Sequence, residues 1–294
     1  MKIAFIGLGI MGKPMALNLI KAGHQLFVFD INQATLDEMK AAGATVCASS
    51  RDTVKDVDAV ITMLPNSPHV KSVMLEKDKL AECMPKDAVF IDCSSINPVA
   101  SREIAAELAK YGIEMLDAPV SGGQPMAVAG TLSFMVGGKQ EVFDKFKDVL
   151  AAMGKSVVRC GDTGAGNVTK LCNQTIVAVN IAALAEAMQM GQMCGVEPQK
   201  IFEAIKGGLA GSNVMNAKAP MMMDQNFQPG FRIDLHIKDL NNVVDAAKAV
   251  DAPIPLTQAV LEMMKVLHHD GDGSCDHSGL LKYYQKLTGE VLHH

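Results

Sequence analysis

The first half of the chain alternates short apolar runs with segments of helical spacing. Continuous apolar runs between helices are typical of strands that are buried on both faces of a parallel sheet. The pattern predicts strands over residues 2–6, 25–29, 59–64, 88–92, 113–118, 132–137 and 155–159. We therefore expect an α/β domain with a doubly wound, mostly parallel sheet.

The pattern changes after about Gly164, where strand-like runs stop and long stretches rich in Ala, Met and Leu begin. Apolar positions there recur at helical spacing, which predicts helices over 165–194, 198–206, 234–250 and 256–269. An all-α domain is therefore expected to follow. We place the two domains at 1–162 and 163–294, because the sequence GDTGAGN supplies turn residues before the long helix that links them.

Composition excludes several classes of protein. The 294 residues are 49% hydrophobic, which is enough for a substantial core. A net charge of −5 offers no broad positive surface for nucleic acid or anionic lipid. The nearest candidate for a membrane span, residues 176–184, is interrupted by Asn180 and is shorter than the roughly 20 residues required. We expect a protein that binds neither nucleic acid nor membranes and that acts on a small molecule.

The seven cysteines are odd in number and contain no C-x-x-C pair, which argues against a disulfide framework and against structural zinc. We therefore expect a cytoplasmic protein. The acidic segment 268–277 does not predict a calcium loop, because an EF-hand needs Gly at its sixth place and Glu at its twelfth, where this chain has Cys275 and Leu281. No metal is expected.

A glycine-rich motif follows the first predicted strand directly and opens a helix. In this context the first glycine permits a tight turn, the second lets the backbone approach a pyrophosphate, and the third lets the helix pack against the strand. The helix N-terminus presents N–H groups to the phosphates. The motif predicts a dinucleotide site that includes Gly7, Gly9, Ile10, Met11 and Gly12.

Asp30 ends the second predicted strand and lies 30 − 7 = 23 residues after the first glycine of the motif. A carboxylate about 20 residues after that glycine typically holds the adenosine ribose. It repels a 2′-phosphate, and Ile31 and Asn32 supply no positive charge to neutralise one. We therefore expect NAD rather than NADP. The alternative is that Asp30 is a turn or cap residue before the next helix.

Further strand ends should reach the same crevice, because open parallel sheets bind ligands at their carboxyl edge. Two of these ends carry Met63-Leu64-Pro65 and Ser95. The backbone at Leu64 and the hydroxyl of Ser95 are candidate contacts for the nicotinamide half of the cofactor. The alternative is that these residues cap the helices that follow.

Another predicted strand, 113–118, runs into a loop that contains Ser121, Gly122 and Gly123. The loop combines a hydroxyl with two backbone amides that carry no side chain, which suits an anion such as a substrate carboxylate. The alternative is an ordinary glycine turn.

Lys170 lies near the start of the long predicted helix, and Asn173 and Gln174 follow on the same helix face. Reduction of a carbonyl requires a proton for the oxygen as hydride reaches the carbon, and a lysine in a closed cleft can supply it. We expect Lys170 to be the catalytic acid, with the two amides beside the substrate. The alternative is an exposed surface lysine.

The chain resembles the β-hydroxyacid dehydrogenase family nearly from end to end. The similarity is carried by FIGLGIMGKPM, ITMLPNSPHVK, DAPVSGG, GTLSFMVGG, GAGNVTKL, GGLAGS, AKAPM and GFRIDLHIKDL. The resemblance implies a Rossmann-type domain followed by a helical domain. It also implies nicotinamide-dependent reduction of a short aldehyde that carries a carboxylate, or oxidation of the corresponding alcohol.

The resemblance further implies that Lys170 is the catalytic acid/base, that the loop 121–123 binds the substrate carboxylate, and that Ser95 and Lys238 contact the cofactor. Phe231 and Asp239 are implied to lie near the closed site. Lys238 would not be selected without the resemblance, because a helix charge beside an acidic neighbour is common.

The chain departs from the family pattern at Gln174, where many relatives carry Asn. The amide that contacts the substrate is therefore either Asn173 or Gln174. Relatives also differ in substrate, since they include hydroxyisobutyrate dehydrogenases and reductases of glyoxylate or succinic semialdehyde. A dinucleotide sensor without turnover is the alternative from a different class. The apolar helical domain also predicts a homo-oligomer, either a dimer or a tetramer.

Overall fold

In the computed structural model, which describes residues 1–293, the chain divides into two compact units between Lys170 and Leu171. This division falls inside the long helix, a few residues after the turn at which the sequence places the domain boundary. The first unit holds a mostly parallel sheet with helices and the second is helical. The expected fold class, a Rossmann-type α/β domain followed by an all-α domain, is confirmed.

The first unit contains one sheet of nine strands. The strands are β1 Lys2–Ile6, β2 Gln25–Phe29, β3 Thr45–Val46, β4 Ala59–Thr62, β5 Val89–Asp92, β6 Glu114–Asp117, β7 Val120–Ser121, β8 Leu132–Gly137 and β9 Gly154–Gly161. Their order is β3-β2-β1-β4-β5-β6-β8-β7, and β9 pairs with β8. Strands β1 to β6 pair in parallel, β8 runs antiparallel to β6 and β7, and β9 runs parallel to β8.

The central strands are apolar because both of their faces are covered. Every residue of β4 and β5 is buried. Along β1, Ile3 and Phe5 enter one apolar cluster, whereas Ala4 and Ile6 enter another. Burial on both faces explains why these strands read as uninterrupted apolar runs in the sequence.

Seven helices accompany the sheet within the first unit, namely α1 Gly12–Lys21, α2 Gln33–Ala41, α3 Ser50–Thr53, α4 Ser67–Lys71, α5 Pro98–Ala109, α6 Gly123–Ala129 and α7 Gln140–Ala151. Asparagine side chains fix the start of several helices. Asn32 accepts a hydrogen bond from the backbone N–H of Thr35 at the start of α2, and Asn97 accepts one from Val99 at the start of α5. Such caps satisfy N–H groups that have no partner inside the helix.

The second unit is built from helices. The long helix α8 Ala165–Met193 begins in the first unit and continues through the second, where it is followed by α9 Pro198–Ile205, α10 Asn213–Met223, α11 Ile233–Ala249, α12 Pro255–His269 and α13 Leu281–Thr288. The four helices predicted from the sequence match α8, α9, α11 and α12 to within one residue at each end. The sequence pattern did not predict α10 and α13.

By length and composition alone, α8 could cross a membrane. The interrupted apolar run in the sequence did not indicate this. The side chains of Ile181, Ala185 and Met188 on this helix are fully buried in the apolar core of the second unit. A core helix of a globular unit passes the same test of length and hydropathy.

Candidate active site

The glycine motif forms the turn between β1 and α1. Gly7 adopts φ +92°, and a Cβ at this position would collide with the carbonyl oxygen of Met63, which follows β4. A Cβ at Gly9 would meet no atom within 4 Å, so that open space lies in front of the loop. No side chain caps the first turn of α1. The loop is therefore packed against the sheet on one side and open on the other, which fits a bound pyrophosphate.

Asp30 follows β2 and joins the glycine loop to the start of α2. Its Oδ2 accepts a hydrogen bond from the backbone N–H of Leu8 at 2.6 Å, and its Oδ1 accepts one from Asn32 at 2.8 Å. The carboxylate thus acts in the turn before the helix, as the alternative interpretation proposes, and also lies against the glycine loop, as ribose binding requires.

A cavity of about 470 Å³ opens beside the glycine loop, a size within the range of small-molecule sites. Its walls come from the glycine loop, from α1, from the start of α2 and from α6. Lining residues include Leu8, Gly9, Ile10, Lys13, Asn32 and Gln124. The predicted pyrophosphate loop therefore borders a real concavity within the first unit.

The ends of β4 and β5 are tied together by polar groups. The backbone N–H of Leu64 donates to Ser94 Oγ at 2.8 Å, and the backbone N–H of Ser94 donates to Asp92 Oδ1 at 3.0 Å. Thr62 Oγ1 donates to the same carboxylate oxygen at 2.8 Å. Burial raises the pKa of Asp92 to about 6, although the hydrogen bonds from Ser94 and Thr62 act in the opposite direction. Sequence reasoning selected Leu64 and Ser95 but missed the residues that fix their backbone.

A second buried carboxylate ends the neighbouring strand. Asp117 is the last residue of β6 and pairs in register with Asp92. Its oxygens accept hydrogen bonds from the backbone N–H groups of Gly164 and Asn167, at the start of α8. Burial raises the pKa of Asp117 to about 6, against those two hydrogen bonds, which lower it. Sequence reasoning also missed this residue.

The loop predicted to bind the substrate carboxylate lies at the carboxyl edge of the sheet. Ser121 ends the two-residue strand β7, and α6 begins at Gly123. Gly122 adopts φ +137° and Gly123 φ +67°. Successive turn conformations of this kind form a concavity of backbone amides that suits an anion.

Lys170 lies in the second turn of α8 and is only 6% exposed. It is therefore not the exposed surface lysine of the alternative interpretation. Lysines are almost never this buried unless they are paired, and a buried amine is a common feature of functional sites. Its role as the proton donor stays a prediction.

Four predicted residues meet within the second unit. Gln174 Nε2 donates to Asp239 Oδ2 at 2.6 Å, and Asn173 Nδ2 donates to Gln174 Oε1 at 2.9 Å. Lys238 Nζ forms an ion pair with the other oxygen of Asp239 at 2.9 Å. The structure therefore brings together Asn173, Gln174, Lys238 and Asp239, which the sequence separates by more than 60 positions.

Phe231 packs nearby against two buried histidines. The centroid of its ring lies 5.7 Å from that of His236 and 5.3 Å from that of His277. His236 Nε2 lies 3.3 Å from the backbone oxygen of Gln174, which connects the aromatic group to the polar cluster. The histidine pair is a further feature of this region that sequence reasoning did not select.

Within residues 1–293 no group of three or more His, Cys, Asp or Glu side chains is arranged to hold a metal ion. In the acidic segment 268–277, Asp270 and Asp272 form ion pairs with Lys286 and Lys282. These carboxylates therefore already have cationic partners from α13.

Comparison with protein families covers nearly the whole chain. Residues 2–161 match the model described as the NAD binding domain of 6-phosphogluconate dehydrogenase. Residues 164–284 match the model described as NAD-binding of NADP-dependent 3-hydroxyisobutyrate dehydrogenase.

Individual relatives match over their full length. The chain is 37% identical to 2-hydroxy-3-oxopropionate reductase of Escherichia coli (strain K12), over 99% of this chain and 100% of that protein. It is 39% identical to NAD-dependent L-serine dehydrogenase of Pseudomonas aeruginosa, over 98% of this chain and 99% of that protein. The solved structure of Mycobacterium tuberculosis 3-hydroxyisobutyrate dehydrogenase with L-serine matches with a TM-score of 0.90 and 33% identity, over 97% of this chain and 99% of that one.

Proposed function

The chain belongs to the β-hydroxyacid dehydrogenase family and is an oxidoreductase that uses a pyridine nucleotide, and from this premise we propose that it reduces 2-hydroxy-3-oxopropionate (tartronate semialdehyde) to glycerate with NADH. The reverse oxidation uses the same groups. Full-length similarity to the Escherichia coli reductase supports this substrate. The observation that carries the proposed chemistry is the burial of Lys170 in the second turn of α8.

Residues of the first unit provide the binding groups in this proposal. The loop 7–12 holds the pyrophosphate, and Asp30 accepts hydrogen bonds from the adenosine ribose. The backbone around Leu64 and the Ser95 hydroxyl contact the nicotinamide half, which supplies the hydride when the cofactor is bound. The substrate carboxylate is held by the loop 121–123.

Lys170 carries the proton in this mechanism. Its Nζ donates a proton to the aldehyde oxygen as the new C–H bond forms at the carbonyl carbon, so that no free alkoxide has to develop. In the oxidation, Nζ accepts the proton of the alcohol. Asp239 holds the amide of Gln174 one helical turn after Lys170, and we propose that this contact orients the amide cluster. The roles of Phe231 and Lys238 stay predictions from the family resemblance.

The direct test is a comparison of kcat/KM over a set of substrates, followed by the nicotinamide absorbance. We expect 2-hydroxy-3-oxopropionate to exceed glyoxylate, succinic semialdehyde, L-serine and 3-hydroxyisobutyrate by at least about tenfold, since recognition of a substrate hydroxyl by buried polar groups discriminates strongly. A larger kcat/KM for another member of the set would reject the proposed substrate. Cofactor binding without turnover of any of them would favour the sensor.

The second candidate substrate is 3-hydroxyisobutyrate. It is favoured by the TM-score of 0.90 against the Mycobacterium tuberculosis dehydrogenase. The two substrates differ in the group beside the carboxylate, a hydroxyl in one and a methyl in the other. The ratio of their kcat/KM values therefore separates the two functions.

We also propose a preference for NADH over NADPH, which Asp30 would impose. We expect wild-type kcat/KM to be at least about tenfold higher with NADH, and Asp30→Ala to lower the NADH value by roughly 10- to 100-fold, since a hydrogen bond to a charged group contributes about 1.5–3 kcal/mol. The value with NADPH should fall less, because the variant no longer repels the 2′-phosphate.

Asp37→Ala is the matched control for this experiment. Asp37 is an exposed carboxylate on α2 whose side chain accepts a hydrogen bond from Gln33, at a distance from the glycine loop in the chain. Its loss should leave the ratio of NADH to NADPH unchanged. A wild-type enzyme that favours NADPH would contradict the role given to Asp30.

A further inference from the structure

The start of α8 is attached to the sheet by a buried carboxylate that the proposed chemistry does not use. Asp117 Oδ1 accepts a hydrogen bond from Gly164 N at 2.7 Å, and its Oδ2 accepts one from Asn167 N at 2.8 Å. The first N–H groups of a helix have no partner inside the helix, and the helix dipole favours a negative charge there. Asp117 therefore anchors the first turn of α8 from the end of β6.

A second attachment comes from the side chain of Asn167, which is fully buried. Its Oδ1 accepts a hydrogen bond from Ile96 N at 3.0 Å, and its Nδ2 donates to Ser101 Oγ at 3.0 Å. Ile96 directly follows Ser95, a predicted cofactor contact, and Ser101 lies on α5. Asn167 thus links the start of α8 to the segment after β5.

Close packing reinforces these hydrogen bonds. A Cβ at Gly166 would collide with the carbonyl oxygens of Asp117 and Met135, on β6 and β8. The backbone of the first turn of α8 therefore lies directly against two strands. Four hydrogen bonds and this contact leave the turn one direction.

We propose that Asp117 and Asn167 are positioning residues that set the direction of α8 and thereby hold the amine of Lys170 within reach of the substrate oxygen. This inference rests on the proposed function. Lys170 lies three residues after Asn167, which is about 4.5 Å along the helix axis. A tilt of the first turn therefore displaces the amine, and a displacement of about 1 Å at a reacting group can lower a rate about 10²-fold.

The cost of burying Asp117 argues for this role over a purely structural one. Burial raises the pKa of this carboxyl to about 6, although the hydrogen bonds from Gly164 and Asn167 and the charge of Arg102 favour its ionised form. Folding alone would therefore gain from a neutral group at this position. A residue that orients Lys170 predicts lost turnover with little lost stability, whereas a structural residue predicts that the two fall together.

The test is Asp117→Asn in the full chain. We expect kcat to fall about 10- to 100-fold, KM for NADH to change less than about threefold, and the Tm to shift by no more than a few degrees. The primary deuterium isotope effect on kcat, measured with deuterated NADH, should increase because a misplaced amine slows the chemical step. A loss of kcat that matched the fraction of unfolded protein would overturn the proposal, as would wild-type kcat.

Asp92→Asn is the matched comparison. Asp92 is buried at the end of the adjacent strand, its pKa is also raised to about 6, and its hydrogen bonds go to Thr62 and Ser94 rather than to α8. We expect this variant to raise KM for NADH through the backbone of Leu64, with an unchanged isotope effect. If both variants gave the same increase in the isotope effect, the special role of Asp117 would be refuted.

Asn167→Ala provides an independent variant in case Asp117→Asn does not fold. It removes the contacts to Ile96 and Ser101, and we expect the same pattern with a smaller loss of kcat. Wild-type kcat and isotope effect in this variant would contradict the proposal. Lys170→Met separates this inference from the proposed function. If Lys170→Met retains turnover, the proposed proton transfer is wrong. If Lys170→Met is inactive while Asp117→Asn and Asn167→Ala are fully active, the positioning role alone is wrong.

Discussion

Replacement of Lys170 by alanine is expected to lower kcat by roughly 10²- to 10⁴-fold, which is the usual contribution of a positioned acid or base. The amine is buried at 6% exposure, so water has little access to replace it as a proton donor. NADH affinity should remain close to that of the wild type, because the glycine loop and Asp30 are unchanged. Steady-state kinetics and a fluorescence titration with NADH measure both quantities.

Two further variants isolate the amine. Lys170→Met keeps most of the side-chain volume and should lose as much activity as the alanine variant, which excludes a packing defect as the cause. Lys200→Ala removes a lysine that is exposed on α9 and paired with Glu197, and it should retain full activity. A loss smaller than about tenfold in both Lys170 variants would show that another group supplies the proton.

Replacement of Gly7 by alanine is expected to abolish cofactor binding and to destabilise the fold. The added Cβ collides with the Met63 carbonyl oxygen, and φ +92° is unfavourable for a residue with a side chain. Strain of about 1–3 kcal/mol and overpacking of about 1–3 kcal/mol together predict a loss of about 2–6 kcal/mol. Urea unfolding followed by circular dichroism measures the stability, and fluorescence measures the NADH affinity, which should fall at least about 100-fold.

Gly43→Ala is the matched control for this prediction. Gly43 follows α2 and adopts φ +97°, but a Cβ there would meet no atom within 4 Å. The control therefore carries the backbone strain without the collision, and it should cost about 1–3 kcal/mol while leaving NADH binding intact. Equal effects of the two variants on NADH affinity would show that the close approach of Gly7 to the strand does not matter for the cofactor.

The parallel part of the sheet could be predicted from the sequence because its strands are buried on both faces and read as apolar runs. β3 and β7 could not be predicted, since a strand of two residues carries no pattern. The antiparallel direction of β8 was also out of reach. It depends on the path of the chain through the loop after β6 rather than on the composition of the strand.

Helices were predictable where apolar positions recur regularly. α10 was missed because Pro220 interrupts it and its methionines spread around the helix rather than along one side. α13 is eight residues long and rich in polar residues, so its short apolar face is a weak signal in the sequence.

The local parts of the candidate site could be predicted, and the long-range parts could not. The glycine motif lies within six consecutive positions, and its meaning follows from the strand before it. In contrast, Asp117 contacts residues 47 and 50 positions away, and Gln174 contacts a residue 65 positions away. Lys238 and Asp239 were selected through family resemblance alone. No periodicity or spacing in a single sequence connects such residues, because their proximity is created by the packing of the folded units.

The form of the sheet edges bears on how the protein behaves at high concentration. An open strand edge can template the addition of a strand from another chain and so start aggregation. The sheet order begins and ends with the two-residue strands β3 and β7. β9 is longer, but it carries Lys155 and Arg159 and meets β8 with two register shifts. Charge and irregular register both oppose pairing between molecules, so this unit is protected against edge-to-edge polymerisation.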